Sequence, residues 1–226
     1  MLSNIIEIII LSIVQGISEF LPISSSAHLN IVQVIFEFNS NSLMIDVSLH
    51  LGSLLAIIFY FRKELLDLKN NQKLLSLMII GSIPIVIAGY IISTTGLINL
   101  LENNLKIIAW TTLIFGIFLY IADKSKFDKK ISSDLNFKTI LYIGLFQILS
   151  LIPGVSRAGI TITAARFFRF NRFDSSKISF LLAIPAIAGA SVLQLKDAIG
   201  QGFEFNYLIL ISITLSFLFS YFTVKF

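Results

Sequence analysis

The 226-residue sequence contains no cysteine and few charged residues. Without cysteine, disulfide bonds, thiolate catalysis and cysteine-ligated metal sites are excluded. Charged residues make up 13% of the chain and hydrophobic residues 56%, and the mean hydropathy is +0.89, far from the balance of a soluble domain. The N-terminus also lacks the Lys or Arg of a secretory signal, so we expect residues 2–17 to be retained. The composition predicts an integral membrane protein.

Five apolar runs are long enough to cross a hydrocarbon core, which takes about 20 residues. They lie at about 45–61, 74–94, 105–122, 177–195 and 207–224. Three of the loops between apolar segments are rich in Lys and Arg, and short loops of this kind remain on the cytoplasmic side. Membrane orientation therefore accounts for the net charge of +4, and we expect no nucleic-acid partner.

Two polar segments of related sequence interrupt the apolar pattern. Residues 15–28 read Q-G-I-S-E-F-L-P-I-S-S-S-A-H, and residues 147–160 read Q-I-L-S-L-I-P-G-V-S-R-A-G-I. The copies differ in their ionisable residues: the first carries Glu19 and His28, and the second carries Arg157. The repetition predicts two halves of one site, with an acidic half facing a basic half that together hold a phosphate.

The basic loops fix how each polar segment meets the membrane. Residues 139–168 run from one cytoplasmic loop to another, which predicts a re-entrant hairpin that enters and leaves on that side. The same reasoning predicts a hairpin at about 2–38 that begins and ends outside, with a periplasmic N-terminus. The predicted fold is an all-α polytopic membrane protein with an inverted-topology repeat and about five full crossing helices.

The repeats divide a single membrane domain, 1–226, into unequal halves. We expect repeat 1 at about 1–122, a cytoplasmic loop at about 123–138 and repeat 2 at about 139–226. Three crossing helices follow the first hairpin and two follow the second, so we expect one C-terminal helix to be absent from this sequence.

The hairpin tips are the expected location of function. Pro22, Pro153 and Gly154 interrupt helical hydrogen bonding, and backbone groups freed in hydrocarbon are costly unless a polar cavity satisfies them. Helices that begin near Ser24 and Ser156 would direct N–H groups and the positive end of the helix dipole at an anion in that cavity.

Embedded ionisable residues mark functional sites. By this rule Glu19, His28 and Arg157 are site residues, and Arg157 offers a planar donor fork for phosphate oxygens. The role of His50 is left open between a hydrogen-bonded interfacial histidine and a residue of the site.

The segments Q-G-I-S-E-F-L-P-I-S-S-S-A-H-L at 15–29 and P-G-V-S-R-A-G-I-T at 153–161 resemble the two signature regions of the undecaprenyl-diphosphate phosphatase family of the bacitracin-resistance type. D-V-S-L-H-L-G-S-L-L-A at 46–56 and S-F-L-L-A-I-P at 179–185 also resemble family segments. The resemblance implies an enzyme of the bacterial inner membrane that opens to the periplasm. It would remove the terminal phosphate from a C55 polyprenyl diphosphate, with a divalent cation, to recycle the carrier lipid of cell-wall synthesis.

The resemblance also implies residue roles. The catalytic residues would be Glu19, Ser25, His28 and Arg157, with Glu19 as the ligand of Mg²⁺ or Ca²⁺. The substrate-binding residues would be Gln15, Ser24, Ser26, Gly154, Ser156, Arg157 and Thr161. Two attacking groups stay open: Ser25, deprotonated by His28 or Glu19, and a metal-bound water. The expected partners are the polyprenyl diphosphate substrate and membrane lipids, with a homodimer as the candidate assembly.

Inverted repeats with broken helices are also typical of transporters, so a transporter or flippase of a polyprenyl phosphate lipid is the alternative function. A transporter needs Arg157 and a cavity that opens alternately to both sides. It does not need Ser25 or His28 as reacting groups. Phosphate release therefore separates the two functions.

Overall fold

The computed structural model describes residues 2–38, 43–95, 104–124, 129–200 and 206–226. Within these ranges the chain forms α-helices joined by short turns, with one 3-10 turn at Ile148–Leu151. The helices are α1 (Leu2–Ser18), α2 (Ser25–Ile35), α3 (Leu43–Tyr60), α4 (Arg62–Leu66), α5 (Leu68–Thr95), α6 (Leu105–Asp123), α7 (Ile131–Asp134), α8 (Phe137–Gln147), α9 (Arg157–Phe167), α10 (Arg172–Gly200) and α11 (Tyr207–Lys225).

Five of these helices, α3, α5, α6, α10 and α11, are long and apolar enough to cross a membrane. They coincide with the five predicted spans, so the prediction of an all-α multi-pass membrane protein is confirmed. Two of them are longer than predicted, since α5 has 28 residues and α10 has 29. The hydropathy pattern marks only the apolar part of each helix, whereas the helical backbone continues through polar residues beyond it.

The second polar segment runs from one end of the helix bundle to its interior and back. At its far end α9 returns to the last turn of α6, where the Arg166 guanidinium pairs with Asp123 at 2.8 Å. At its tip the Pro153 carbonyl accepts a hydrogen bond from Thr111 Oγ1 at 2.6 Å. Thr111 lies twelve residues before Asp123 on α6, which corresponds to a depth of about 18 Å. The tip between α8 and α9 therefore lies well inside the bundle.

Side chains of α6 satisfy the backbone carbonyls that the helix break at this tip leaves without helical partners. Thr112 Oγ1 donates to the Gly154 carbonyl at 3.0 Å, next to the bond that Thr111 makes to Pro153. Gly154 has a φ of +87°, and a Cβ there would collide with Thr111 Oγ1 and the Ile108 carbonyl. Glycine is thus required for the backbone conformation and for the close approach to α6.

One helix of each predicted repeat packs against helices of the other repeat. α11, from the second repeat, packs along α1 and α3 of the first, while α5, from the first repeat, packs along α8 and α10 of the second. Close contacts accompany this packing: Gly16 and Gly52 both lie against the α11 backbone. By the predicted repeat bounds, each hairpin therefore packs against a helix of the other repeat.

The contact between α5 and α8 generates a stability prediction. A Cβ on Gly144 would overlap the Gly81 carbonyl oxygen, and because both atoms belong to helix backbones the overlap requires the helices to separate. We expect Gly144→Ala to lower the free energy of unfolding by about 1 to 3 kcal/mol, the usual cost of overpacking. Thermal unfolding in detergent measures the change.

Gly116→Ala is the matched control, since no atom of the described residues lies within 4 Å of a Cβ at this position on α6. Alanine favours a helix over glycine by about 1 kcal/mol, so this variant should be as stable as the wild type or more stable. Equal stability of the Gly144 and Gly116 variants would show that α5 and α8 are not in contact.

Candidate functional site

The site lies where the tips of the two hairpins meet. Glu19 directly follows α1, and its side chain is buried, with 7% of the residue exposed. Ser25 is the first residue of α2 and Arg157 is the first residue of α9. Both helices are capped as expected from the sequence: Ser24 Oγ accepts from Ala27 N, and Ser156 Oγ accepts from Gly159 N. Two helix N-termini therefore present their first side chains to one carboxylate.

An ion pair joins the hairpins. Arg157 Nη2 donates to Glu19 Oε1 at 3.0 Å and to the Glu19 backbone carbonyl at 3.3 Å. Arg157 Nη1 donates to the Ser179 carbonyl on α10 at 3.4 Å. The Arg157 side chain is 13% exposed, so the pair is largely removed from solvent. Through this ion pair the acidic segment at 15–28 meets the basic segment at 147–160, as the sequence predicted.

The second oxygen of the Glu19 carboxylate faces the first repeat. Glu19 Oε2 accepts hydrogen bonds from Ser25 Oγ at 2.7 Å and from Gln15 Nε2 at 2.9 Å. Gln15 lies one helical turn before Glu19 and is fully buried. The Ser25 hydroxyl is consequently directed at a carboxylate oxygen that can accept its proton.

A buried hydroxyl cluster extends from Gln15 toward α11. Ser53 Oγ lies 3.5 Å from Gln15 Nε2, 3.2 Å from Ser216 Oγ and 2.9 Å from Ser220 Oγ. Ser216 also donates to the Leu49 carbonyl at 2.6 Å. These contacts hold the Gln15 amide in the orientation in which its Nε2 donates to Glu19.

The two histidines occupy different positions. His28 Nδ1 lies 2.6 Å from the Ser24 carbonyl, within its own helix. His50 Nε2 lies 3.9 Å from Glu19 Oε2, and its Nδ1 lies 2.8 Å from the Asp46 carbonyl. This contact places the His50 ring beside the Glu19 carboxylate.

The remaining predicted residues surround this centre. Ser26 is exposed in the first turn of α2, with its Oγ 3.3 Å from Ser24 Oγ. Thr161 is fully buried, and its Oγ1 lies 2.7 Å from Ser179 Oγ on α10. Gly154 packs against α6, as described above. Gly154 and Thr161 therefore hold the second tip in place, and Ser26 is an exposed residue of the first tip.

Sequence reasoning missed the residues that α3 and α10 contribute. Ser53 and Ser179 bond to Gln15, Arg157 and Thr161, and neither was selected, because small hydroxyl residues in apolar helices are usually packing residues. A usable signal exists for both, since they lie in the segments at 46–56 and 179–185 that carry the secondary resemblance.

The residues present suit a hard cation together with a phosphate. Gln15 Oε1 is buried and has no hydrogen-bond partner among the described residues, which leaves an orphaned oxygen beside the Glu19 carboxylate. Oxygen donors of these two kinds are those that Mg²⁺ and Ca²⁺ prefer. Within the described ranges, no three His, Cys, Asp or Glu side chains cluster as a metal site. A bound cation would therefore need substrate oxygens or water to complete its coordination.

Comparison with known proteins gives a family. Residues 8–226 match the family described as Bacitracin resistance protein BacA. A protein of Pelagibacter ubique named undecaprenyl-diphosphatase is 92% identical over 226 residues, which are all of this chain and 88% of that protein. A protein of Elusimicrobium minutum with the same name is 42% identical over 201 residues, 85% of this chain and 76% of its own. One of Alteromonas mediterranea, again so named, is 41% identical over 207 residues, 86% and 77% of the two chains.

The buried ion pair yields a double-mutant prediction. Glu19→Gln or Arg157→Gln alone leaves one charge buried and unpaired, and breaking a buried pair in this way costs about 3 to 5 kcal/mol. The double variant removes both charges and keeps polar groups in their places. We expect it to be less destabilised than the two single variants summed, by thermal unfolding in detergent. Additive losses would mean that the two side chains do not interact in the folded protein.

Proposed function

The chain belongs to the bacitracin resistance protein BacA family, and from that membership we propose that it is an undecaprenyl-diphosphatase, which hydrolyses undecaprenyl diphosphate to undecaprenyl phosphate and inorganic phosphate. The observation that supports this most is the Ser25 hydroxyl, hydrogen-bonded to a Glu19 carboxylate that is itself paired with Arg157. A nucleophile, a proton acceptor and a phosphate-binding cation thus meet at one point.

Arg157 binds the diphosphate. A guanidinium has five N–H donors, and the contacts of Arg157 to Glu19 and Ser179 engage only its two terminal nitrogens. The start of α9 adds backbone N–H groups and the positive end of its dipole beside the same side chain. A terminal phosphate held there lies between the two tips, within the region that Ser25 faces.

Ser25 attacks the terminal phosphorus. Its Oγ forms the new P–O bond while its proton moves to Glu19 Oε2, 2.7 Å away. The bond between the terminal phosphorus and the bridging oxygen breaks, and the electron pair leaves with the polyprenyl phosphate. That product takes up this proton from Glu19, directly or by way of His28, so that both groups return to their starting protonation. Water then attacks the phosphoserine, releases inorganic phosphate and returns a proton to Ser25.

A divalent cation, Mg²⁺ or Ca²⁺, would be held by Glu19 and Gln15 Oε1. When bound it neutralises charge on the diphosphate oxygens. The reason to expect it is the charge of the site: Glu19 and Arg157 cancel each other, so a bound diphosphate brings several negative charges with no further cation among the site residues named above. Burial makes such an imbalance costly.

The protein would act in the bacterial inner membrane with its site open to the periplasm. The support for this orientation is the distribution of Lys and Arg, and the ends of α3, α6 and α10 do meet at one basic end of the bundle. There Lys177 pairs with Glu64 at 3.3 Å, and Arg172 pairs with Asp123. A homodimer is the candidate assembly, which light scattering in detergent would test.

The function is tested by phosphate release from a polyprenyl diphosphate by purified protein in detergent. We expect release from the wild type, suppression by EDTA, and a loss of at least about 100-fold in Ser25→Ala, Glu19→Gln and Arg157→Ala, the scale on which nucleophiles and charge-stabilising groups contribute. Thr214→Val is the control, because its hydroxyl is exposed on α11 and bonds only within its own helix. A folded wild type that releases no phosphate would support the transporter function.

The attacking group is tested by acid quenching during turnover of substrate labelled in its terminal phosphate. Attack by Ser25 predicts transient label on the peptide that contains Ser25, with an amplitude below one label per protein. Direct attack by water predicts no protein-bound label at any time. In that case Ser25→Gly, which removes the side chain and leaves room for water, would retain measurable phosphate release.

A further inference from the structure

His50 is held in one orientation by the backbone of its own helix. Its Nδ1 lies 2.8 Å from the Asp46 carbonyl oxygen, one turn earlier on α3. A carbonyl oxygen only accepts hydrogen bonds, so Nδ1 carries the proton. In the neutral ring Nε2 therefore carries a lone pair. A backbone carbonyl on the far ring nitrogen is the usual companion of a metal-binding histidine, because it fixes both the tautomer and the ring plane.

The lone pair of His50 faces a carboxylate oxygen, which is also a hydrogen-bond acceptor. Nε2 lies 3.9 Å from Glu19 Oε2, and the side chains are 21% and 6% exposed. Two acceptors at this distance do not bond to each other. They can share a cation, since two ligand bonds of about 2.1 Å each span up to about 4.2 Å when the cation lies nearly between them.

A third acceptor belongs to Gln15, whose amide nitrogen contacts the same carboxylate oxygen. Gln15 Oε1 is buried without a hydrogen-bond partner among the described residues, and Nε2 of the same amide is 2.9 Å from Glu19 Oε2. Glu19 Oε1 is engaged by Arg157, which leaves Oε2 as the oxygen on the side of His50. Rotation of the Gln15 amide would replace its Nε2 donor with Oε1 and free one acceptor position on Oε2, while the Ser25 hydroxyl keeps its bond there.

We propose that His50 Nε2 is a nitrogen ligand of the divalent cation, together with Glu19 Oε2 and Gln15 Oε1. This inference rests on the proposed function, which supplies the diphosphate oxygens that complete the coordination. It accounts for an imidazole lone pair that faces a carboxylate oxygen, and for an orphaned amide oxygen one helical turn before that carboxylate.

The nitrogen ligand has a consequence for metal choice. An imidazole ligand raises the affinity for Co²⁺ and Zn²⁺ most, while Mg²⁺, Ca²⁺ and Mn²⁺ still suit the oxygen ligands of the site. With three protein ligands, of which one is a neutral amide, the cation binds weakly until phosphate oxygens are present. We therefore expect Mn²⁺ to bind more tightly when methylenediphosphonate, a non-hydrolysable diphosphate, is added.

The test is electron spin-echo envelope modulation of Mn²⁺ bound to the purified protein, with and without methylenediphosphonate. A directly bound imidazole gives ¹⁴N modulation, and the chain has only two histidines. We expect the modulation in wild type and in His28→Gln and its loss in His50→Gln, with Mn²⁺ affinity about 10- to 100-fold lower in the latter. Labelling the histidines of the wild type with ¹⁵N should abolish the ¹⁴N signal without any substitution, so a folding defect of His50→Gln would not obscure the result.

Bound Mn²⁺ without ¹⁴N modulation would overturn the proposal, since His50 would then be an ion-pair partner of Glu19 or a hydrogen-bonding group. A signal lost in His28→Gln but kept in His50→Gln would overturn it as well. So would the absence of Mn²⁺ binding in the presence of methylenediphosphonate. Phosphate release measured on the same samples tests the phosphatase separately, because an oxygen-only cation site is compatible with release.

Discussion

The ion pair between Glu19 and Arg157 joins two helix breaks that an apolar bundle would not otherwise tolerate. Each charge alone would be expensive at this depth, and together they satisfy each other across the two repeats. The pair also fixes the position of the surrounding groups. Ser25 and Gln15 donate to the carboxylate, and the Ser179 carbonyl holds the guanidinium. The fold and the site therefore depend on the same contact.

Backbone groups freed at the tips are satisfied in two different ways. At the second tip Thr111 and Thr112 of α6 donate to the Pro153 and Gly154 carbonyls. N–H groups at the helix starts are capped by serines in both repeats. A broken helix here costs stability, and the surrounding hydroxyls offset part of that cost.

Hydropathy predicted the fold class and the five long helices, because a helix that crosses lipid needs an apolar run of about 20 residues, which a single sequence displays. The repeat predicted that Glu19 and Arg157 meet. Three features were beyond reach: the packing of α5 and α11 against the other repeat, the contact of His50 with Glu19, and the supporting hydroxyls of α3 and α10. All three depend on which helix faces which, and an apolar helix with polar residues on several faces does not specify that.

In the proposed mechanism, substrate binding changes the partners of Glu19. In the structure the Arg157 guanidinium donates to both Glu19 and the Ser179 carbonyl. A phosphate group carries more negative charge than one carboxylate and competes for the same N–H donors. As Arg157 moves toward phosphate, Glu19 loses its counter-charge in a buried place, and its oxygens become better acceptors. Proton uptake from Ser25 or cation binding then compensates the carboxylate. Glu19 is thus restrained in the resting site and made reactive by the arrival of the diphosphate, which ties the readiness of the nucleophile to occupancy by substrate.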